Sequence, residues 1–167
     1  MTKRNIMIHM HTSRLTLAES LFEDFCPPED FDAEEDLPYA ETDGEMPEPS
    51  ELWMEGKLLT GKDRVELVYR ESELTGMAGT VTTIGFNRTD PTLISIMRAG
   101  AVRTVLTLEP GKHHFCLYNT PYSDFDICVH ALRVENKLLT EGTMELDYLI
   151  EIHGAQAEHC KMSISIR

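Results

Sequence analysis

Met144-Glu145-Leu146-Asp147-Tyr148-Leu149-Ile150-Glu151-Ile152 and, shortly after it, His159-Cys160-Lys161-Met162-Ser163-Ile164-Ser165-Ile166 are the stretches on which the fold turns. In the first, Met144, Leu146, Tyr148, Ile150 and Ile152 alternate with Thr143, Glu145, Asp147 and Glu151. In the second, Cys160, Met162, Ile164 and Ile166 alternate with His159, Lys161, Ser163 and Ser165. A repeat of two sends successive side chains to opposite faces of a strand, so each stretch predicts a strand with one buried and one wet face. His153-Gly154-Ala155-Gln156 between them fits a hairpin turn.

The same repeat extends back through the chain. Val65, Leu67 and Tyr69 alternate with Arg64, Glu66 and Arg70, and Ile6, Ile8 and Met10 with Met7, His9 and His11. Thr80 to Phe86 is rich in β-branched residues, which suit a pleated surface. Further strands are predicted at Leu93–Arg98, Val102–Leu108, His113–Tyr118 and Asp124–Val134. They are separated by turn-forming Asp90-Pro91, Ala99-Gly100, Pro110-Gly111, Asn119-Thr120-Pro121 and Asn136. Short strands with little helix between them predict antiparallel pairing in a barrel or sandwich, and closure removes exposed edges. The prediction is one all-β domain over 1–167, a closed antiparallel barrel of about 8–10 strands.

Residues 15–50 form an acidic insertion between the first and second strands. From Leu15 to Glu55 there are 15 acidic residues and no Lys or Arg, whereas the rest of the chain carries 14 acids and 15 bases. The formal charge of −14 therefore belongs to one segment. Thr16 and Glu19 fit a capping box, Leu15, Ala18, Phe22 and Phe25 follow helical spacing, and Pro27-Pro28 would stop a helix. A short helix over Leu17–Phe25 is predicted, then a mobile Glu29–Pro49 with too few apolar groups to offset its ordering entropy.

No basic face is available to neutralise phosphates, so nucleic-acid binding is disfavoured. No apolar run approaches the length of a membrane span, and Ile6 to Met10 is too short for a signal-peptide core. Cys26, Cys116, Cys128 and Cys160 contain no C-x-x-C pair and read as reduced thiols in a cytoplasmic protein, with a Cys116–Cys128 bridge as the alternative if their strands are neighbours.

Glu73-Leu74-Thr75-Gly76-Met77-Ala78-Gly79-Thr80-Val81-Thr82-Thr83, Met97-Arg98-Ala99-Gly100-Ala101-Val102 and Leu117-Tyr118-Asn119-Thr120-Pro121-Tyr122 resemble the YwiB-like family of uncharacterised bacterial β-barrel proteins. The resemblance covers Ser50 to Arg167, and Asn5–Ser13 loosely. It implies a calycin-like, or lipocalin-like, closed barrel and no activity, since none is established for the family. Ser123 stands where the family usually has Gly, and the 15–50 segment exceeds the family's usual first connection.

Chemistry-bearing motifs are sparse. His9 and His11 share a strand face, as do His114 and Cys116, but no zinc-ligand spacing is present, and solvent-facing strand histidines account for them. No nucleophile elbow, P-loop or dinucleotide fingerprint occurs, and the glycines of Gly76-Met77-Ala78-Gly79 suit a tight turn or bulge. Arg98 shares the parity of Ile94 and Ile96, and Glu71 and Glu73 that of Val65, Leu67 and Tyr69. A buried Arg must meet a carboxylate or an anionic ligand. Arg98 is thus expected to pair with Glu73 at the barrel mouth or to bind a ligand carboxylate, against the alternative of a structural ion pair or an exposed Arg. Tyr118 and Tyr122 suit a cavity rim or a packed hairpin end. Trp53 is expected to plug the barrel or pack the second strand.

Glu73, Arg98, Tyr118 and Tyr122 are therefore the candidate ligand-binding residues; no catalytic residue, metal or cofactor is assigned. Three functions fit. The first is a non-catalytic barrel holding a small, mainly apolar or anionic ligand, with the predicted Leu17–Phe25 helix as a lid over one end. The second is an interaction module whose acidic segment meets a basic protein. The third is an enzyme, for which no activated nucleophile is visible.

Overall fold

Alternation becomes sheet throughout the chain after Ser50. In order, the strands are β1 (Thr2–Thr16), β2 (Ser50–Thr60), β3 (Arg64–Arg70), β4 (Val81–Asn87), β5 (Asp90–Ala99), β6 (Thr104–Leu108), β7 (His113–Asn119), β8 (Asp124–Lys137), β9 (Thr143–Ile152) and β10 (Ala157–Ile166). The computed structural model describes residues 1–18, 29–39, 50–152 and 157–167. All pairings are antiparallel, in one sheet of order β6-β5-β4-β3-β2-β1-β10-β9-β8-β7. Two meanders, β1 to β6 and β7 to β10, are joined where the first strand pairs with the last, Ile8 opposite Ile166 and Arg14 opposite Cys160.

The sheet curls until its edge strands β6 and β7 meet, but the predicted closure is incomplete. A single bridge joins them: the Arg103 amide donates to the Asn119 carbonyl at 3.0 Å and the Asn119 amide to the Arg103 carbonyl at 2.9 Å. Beyond it the ladder stops. The Gly111 amide donates to the Ala131 carbonyl on β8 at 3.1 Å, tying the β6–β7 turn to β8 instead of closing a hairpin.

Ile6, Ile8, Leu67, Ile84, Ile96, Leu108, Met144 and Ile164 are among the side chains that fill the interior. The repeat predicts this directly, because every second residue of each strand faces one shared space. Gly56 makes room for one of them: a Cβ there would lie 2.4 Å from Ile8 Cδ1.

The acidic insertion departs from expectation where it is described. Thr16, the predicted helix cap, is the last residue of β1 opposite Glu158, and Leu17 bridges Tyr39. The predicted Leu17–Phe25 helix therefore does not begin there; its remainder from 19 lies outside the described residues, as do 40–49, Cys26 and the 153–156 turn. Residues 29–39 dock on the outer face of the sheet. Leu17 and Leu37 are buried with Cys128, Leu149 and Ala157, flanked by Phe31, Ala33 and Tyr39. Apolar residues spaced through the acidic run cover an outward apolar patch, and that burial opposes the ordering entropy. Among the described residues no helix is long and apolar enough to cross a membrane.

Candidate functional site

At the barrel end where β1 finishes, the inward rows cease to be aliphatic. Direct cross-strand partners there are Tyr69 with Thr82, Thr82 with Arg98, and Arg98 with Thr104, from β3 to β6. On the β1 side, Arg14 lies opposite Cys160 and Cys160 opposite Tyr148. Glu71, just past β3, is buried and accepts a hydrogen bond from Thr82 Oγ1 at 2.6 Å. Burial pushes the Tyr69 and Tyr148 phenols above the ordinary tyrosine range, and Arg98 opposes the rise at both. Burial also pushes the Cys160 thiol up to about 12.

Two hollows open among these residues. One, of about 280 Å³, is bounded by Met10, Tyr69, Glu71, Leu74 and Met77. The other, of about 180 Å³, is bounded by Leu106, Tyr118, Phe125, Tyr148, Ile150 and Ile152. Arg14 and Arg98 line both and so stand between them. Arg98 is 6% exposed, and its Nε has no hydrogen-bond partner among the described residues. Arg14 sits at the open rim, 4.0 Å from Glu158.

The rim is built by the three stretches that carry the family resemblance. Glu73–Thr75 forms a 3-10 turn that ends on Gly76, whose φ of 73° favours glycine. Gly100 packs against the same loop: a Cβ there would lie 2.6 Å from the Gly79 carbonyl oxygen. The Val102 amide donates to Thr80 Oγ1 at 3.4 Å. From the third stretch, Asn119 makes the bridge to Arg103 and Tyr118 lines the second hollow. Ser123 needs no glycine-like conformation, since among the described residues no non-glycine residue has positive φ; its amide donates to Thr120 Oγ1 at 3.1 Å.

Of the four candidate ligand residues, Arg98 and Tyr118 converge on the hollows. Glu73 lies exposed on the rim turn, and no ion pair joins it to Arg98. The buried carboxylate of that parity is Glu71. Tyr122 is 96% exposed at the tip of the β7–β8 turn and lines neither hollow. Arg14 was not legible as a site residue, although it shares the parity of Ile6, Ile8 and Met10; the apolar row gives way to polar Thr12, and the alternation is read only to His11. Tyr69 and Tyr148 read as core positions and gave no separate signal.

Trp53 does not plug the barrel. It faces outward, stacked on His9 at 4.1 Å between ring centres, with Arg167 Cζ 5.7 Å from its ring centroid. His9 pairs with Glu51 and His114 with Glu109. His159 is not solvent-facing: it is buried, bonded to Asp147 through Nε2 and to the Tyr39 hydroxyl through Nδ1 at 2.8 Å. Cys116 and Cys128 are free thiols on opposite faces, Cys116 opposite Ile127 and Cys128 opposite Phe115, so the alternative bridge is not made. Among the described residues no three His, Cys, Asp or Glu side chains converge as metal ligands.

The family model described as "Domain of unknown function (DUF1934)" matches residues 39–164. The chain belongs to this family. The DUF1934 barrel is similar to the crystal structure of the ywiB protein from Bacillus subtilis, with a TM-score of 0.60 and 14% sequence identity. That likeness covers 96% of the DUF1934 chain and 92% of the ywiB chain, and at this identity it speaks to the fold. The motif resemblance at the rim and the likeness of fold thus point to the same group. No curated protein matches the DUF1934 chain in sequence.

Proposed function

We propose that this barrel is a non-catalytic binding protein for a small ligand held at its polar end, in the manner of a calycin-like barrel. The observation that carries the reading is the pair of hollows meeting at Arg98, inside a barrel whose other end is filled by apolar side chains. Eight- to ten-strand barrels of this kind either fill with side chains or leave room for one small molecule. The few convergent polar groups over a largely apolar wall are the usual make-up of a small-molecule site. Catalysis has less support: burial holds the Cys160 thiol protonated, and among the described residues no side chain hydrogen-bonds it. The test is gentle solvent extraction of the purified protein followed by mass spectrometry. A small molecule released in near-stoichiometric amount supports the reading. Protein that releases nothing and shows no shifted Ile150 or Tyr118 resonances with any of a broad fragment set removes it.

A second reading rests on the docked acidic run. Glu29, Asp30, Asp32, Glu34, Glu35 and Asp36 stay exposed while Leu37 is buried, so the run presents carboxylates outward from a fixed base. Such a surface suits a basic protein partner. Deleting Ala33–Glu48 separates the two readings: loss of a partner with small-molecule binding intact favours this one.

A further inference from the structure

Arg98 is a buried cation with which no carboxylate among the described residues forms an ion pair. Its cross-strand neighbours are the neutral hydroxyls of Thr82 and Thr104. The buried carboxylate on the same face, Glu71, takes its hydrogen bond from Thr82 at 2.6 Å, and no ion pair links it to Arg98. Nε is left without a partner among the described residues. A buried guanidinium in that condition is strongly unfavourable unless something else satisfies it. Nε is sealed within the wall, whereas the guanidinium tip borders both hollows, and its two Nη groups can take a carboxylate in two parallel bonds.

The surroundings narrow the class of anion. Arg14 offers a second guanidinium from the rim of the same two hollows. Glu71 and Glu158 also line them, one in each, so two cations face two carboxylates. The two carboxylates weigh against a dianion, while the Arg98 donors that neither carboxylate occupies can still take a single negative group. Beyond Arg98 the second hollow is walled by Leu106, Phe125, Ile127, Ile150 and Ile152, with Tyr118 and Tyr148 as aromatic sides. This wall rejects a second polar end and rewards an apolar body.

We infer that the polar end of the barrel binds an amphipathic monocarboxylate, its carboxylate between Arg98 and Arg14 and its apolar body in the hollow against Phe125, Ile150 and Ile152. This inference rests on the reading of the barrel as a small-molecule binder and names its ligand class. Arg98 supplies the two-bond contact and Arg14 the outer charge, while Glu71 accepts from Thr82 and makes no ion pair with Arg98.

The test titrates the full chain, after extraction of any carried-over molecule, with hexanoate, octanoate and decanoate. Each is set against the alcohol of the same length and against octyl phosphate, by calorimetry and by methyl spectra of the isoleucines. At least one carboxylate is expected to bind at least about tenfold more tightly than its alcohol, the margin of one charge-assisted hydrogen bond. It is also expected to bind more tightly than octyl phosphate and to shift the Ile150 and Ile152 methyls. Arg98→Met should weaken that carboxylate at least about tenfold and leave the alcohol unchanged. Arg14→Gln, at an exposed position, should weaken it severalfold, and it decides the matter if Arg98→Met does not fold. Equal binding of carboxylate and alcohol, tighter binding of octyl phosphate, or unchanged carboxylate affinity in the folded variants overturns the carboxylate assignment while leaving the hollow as an apolar site. Failure of every acid, alcohol and phosphate to bind overturns the assignment and the small-molecule reading together.

Discussion

Arg98 and Gly100 sit two residues apart and answer to opposite pressures. Arg98 is buried with an unsatisfied Nε, a condition that stability alone would not maintain. Replacing it by Met removes the desolvated charge, keeps the volume, and leaves the Thr82–Glu71 bond in place. Arg98→Met in the ligand-free protein should therefore unfold at an equal or higher urea concentration, with a gain of up to about 1–4 kcal/mol. A loss above about 1 kcal/mol would mean that Arg98 is part of the framework. Gly100 is the reverse case. Its φ of 153° and the 2.6 Å approach to the Gly79 carbonyl leave no room for a methyl, and the atoms in the way are backbone. Gly100→Ala should lower stability by at least about 2 kcal/mol through overpacking and backbone strain, measured by the same urea curves. The parity of Ile94, Ile96 and Arg98 makes the inward Arg legible in the sequence. Which carboxylate would neighbour it was not legible, because Glu71 and Glu73 share one parity. The choice between them is made where β3 ends at Arg70 and the chain turns into the 3-10 turn at Glu73. A period of two cannot locate that end.

The acidic segment shows at the scale of an element how far patterning reaches. Most strands after Ser50 follow from alternation, because one face is wet and the other buried; β2 and β7 bury little on either face. The outer faces of β8, β9 and β10 break that rule at Cys128, Leu149 and His159, which point outward and are nevertheless buried. A sequence reading that assigns the outward face to solvent leaves these three unexplained, and the same reading leaves Leu37 and Tyr39 stranded in an acidic run. The two anomalies account for each other. His159 fixes the match: its Nε2 bonds Asp147 and its Nδ1 meets the Tyr39 hydroxyl, which also lies 2.5 Å from the Ala33 carbonyl. Burial, with Asp147, Glu34 and Asp32 nearby, pushes the Tyr39 hydroxyl up to about 12, so it stays protonated and able to donate. Lys161 adds an ion pair to Glu34 at 2.5 Å on the exposed margin, where such pairs contribute little. His159→Phe keeps the ring volume and removes both polar contacts. It should release the docked run while the barrel stays folded. Amide exchange at Tyr39 and Ala18, whose amides donate to Leu37 and Pro38, should accelerate at least about tenfold, with core strand amides unchanged. Unchanged exchange at those two amides would show that the apolar contacts of Leu17 and Leu37 suffice.

The whole molecule is two meanders sewn together at two seams of unequal strength. One is the long β1–β10 ladder and the other the single bridge between β6 and β7. Its buried acids set how it responds to base. Cys160, Tyr69 and Tyr148 all have their pKa raised in the folded state, chiefly by burial, and Cys128 is pushed up to about 11 by the same cause. A group whose folded pKa is raised contributes stability that is complete below its unfolded value. That stability is lost as pH climbs toward the folded value, because the unfolded chain gives up its proton first. The unfolding free energy from urea curves should accordingly hold level up to about pH 9 and then fall, by about 1.4 kcal/mol per pH unit for each such group in its window. An unfolding free energy unchanged to pH 11 would show that these groups remain hydrated. The weak seam makes its own prediction. Thr104 Oγ1 and Cys116 Sγ face each other across it at 4.0 Å, on the inward side, near the Asn119 bridge. Thr104→Cys, in a Cys26→Ser background and oxidised, should close a short loop with Cys116 and raise stability by about 2–4 kcal/mol relative to its reduced form. The same bond pins β6 to β7 beside Leu106 and Tyr118, the two side chains that reach into the second hollow from either edge. If a ligand enters by parting these edges, the oxidised form will take it up more slowly than the reduced form with little change in final affinity. If entry is over the Leu74 rim, the two forms will load at the same rate. Uptake followed by stopped-flow with and without reductant distinguishes the routes, and the unfolding midpoints of the same samples report whether the cross-link formed without strain.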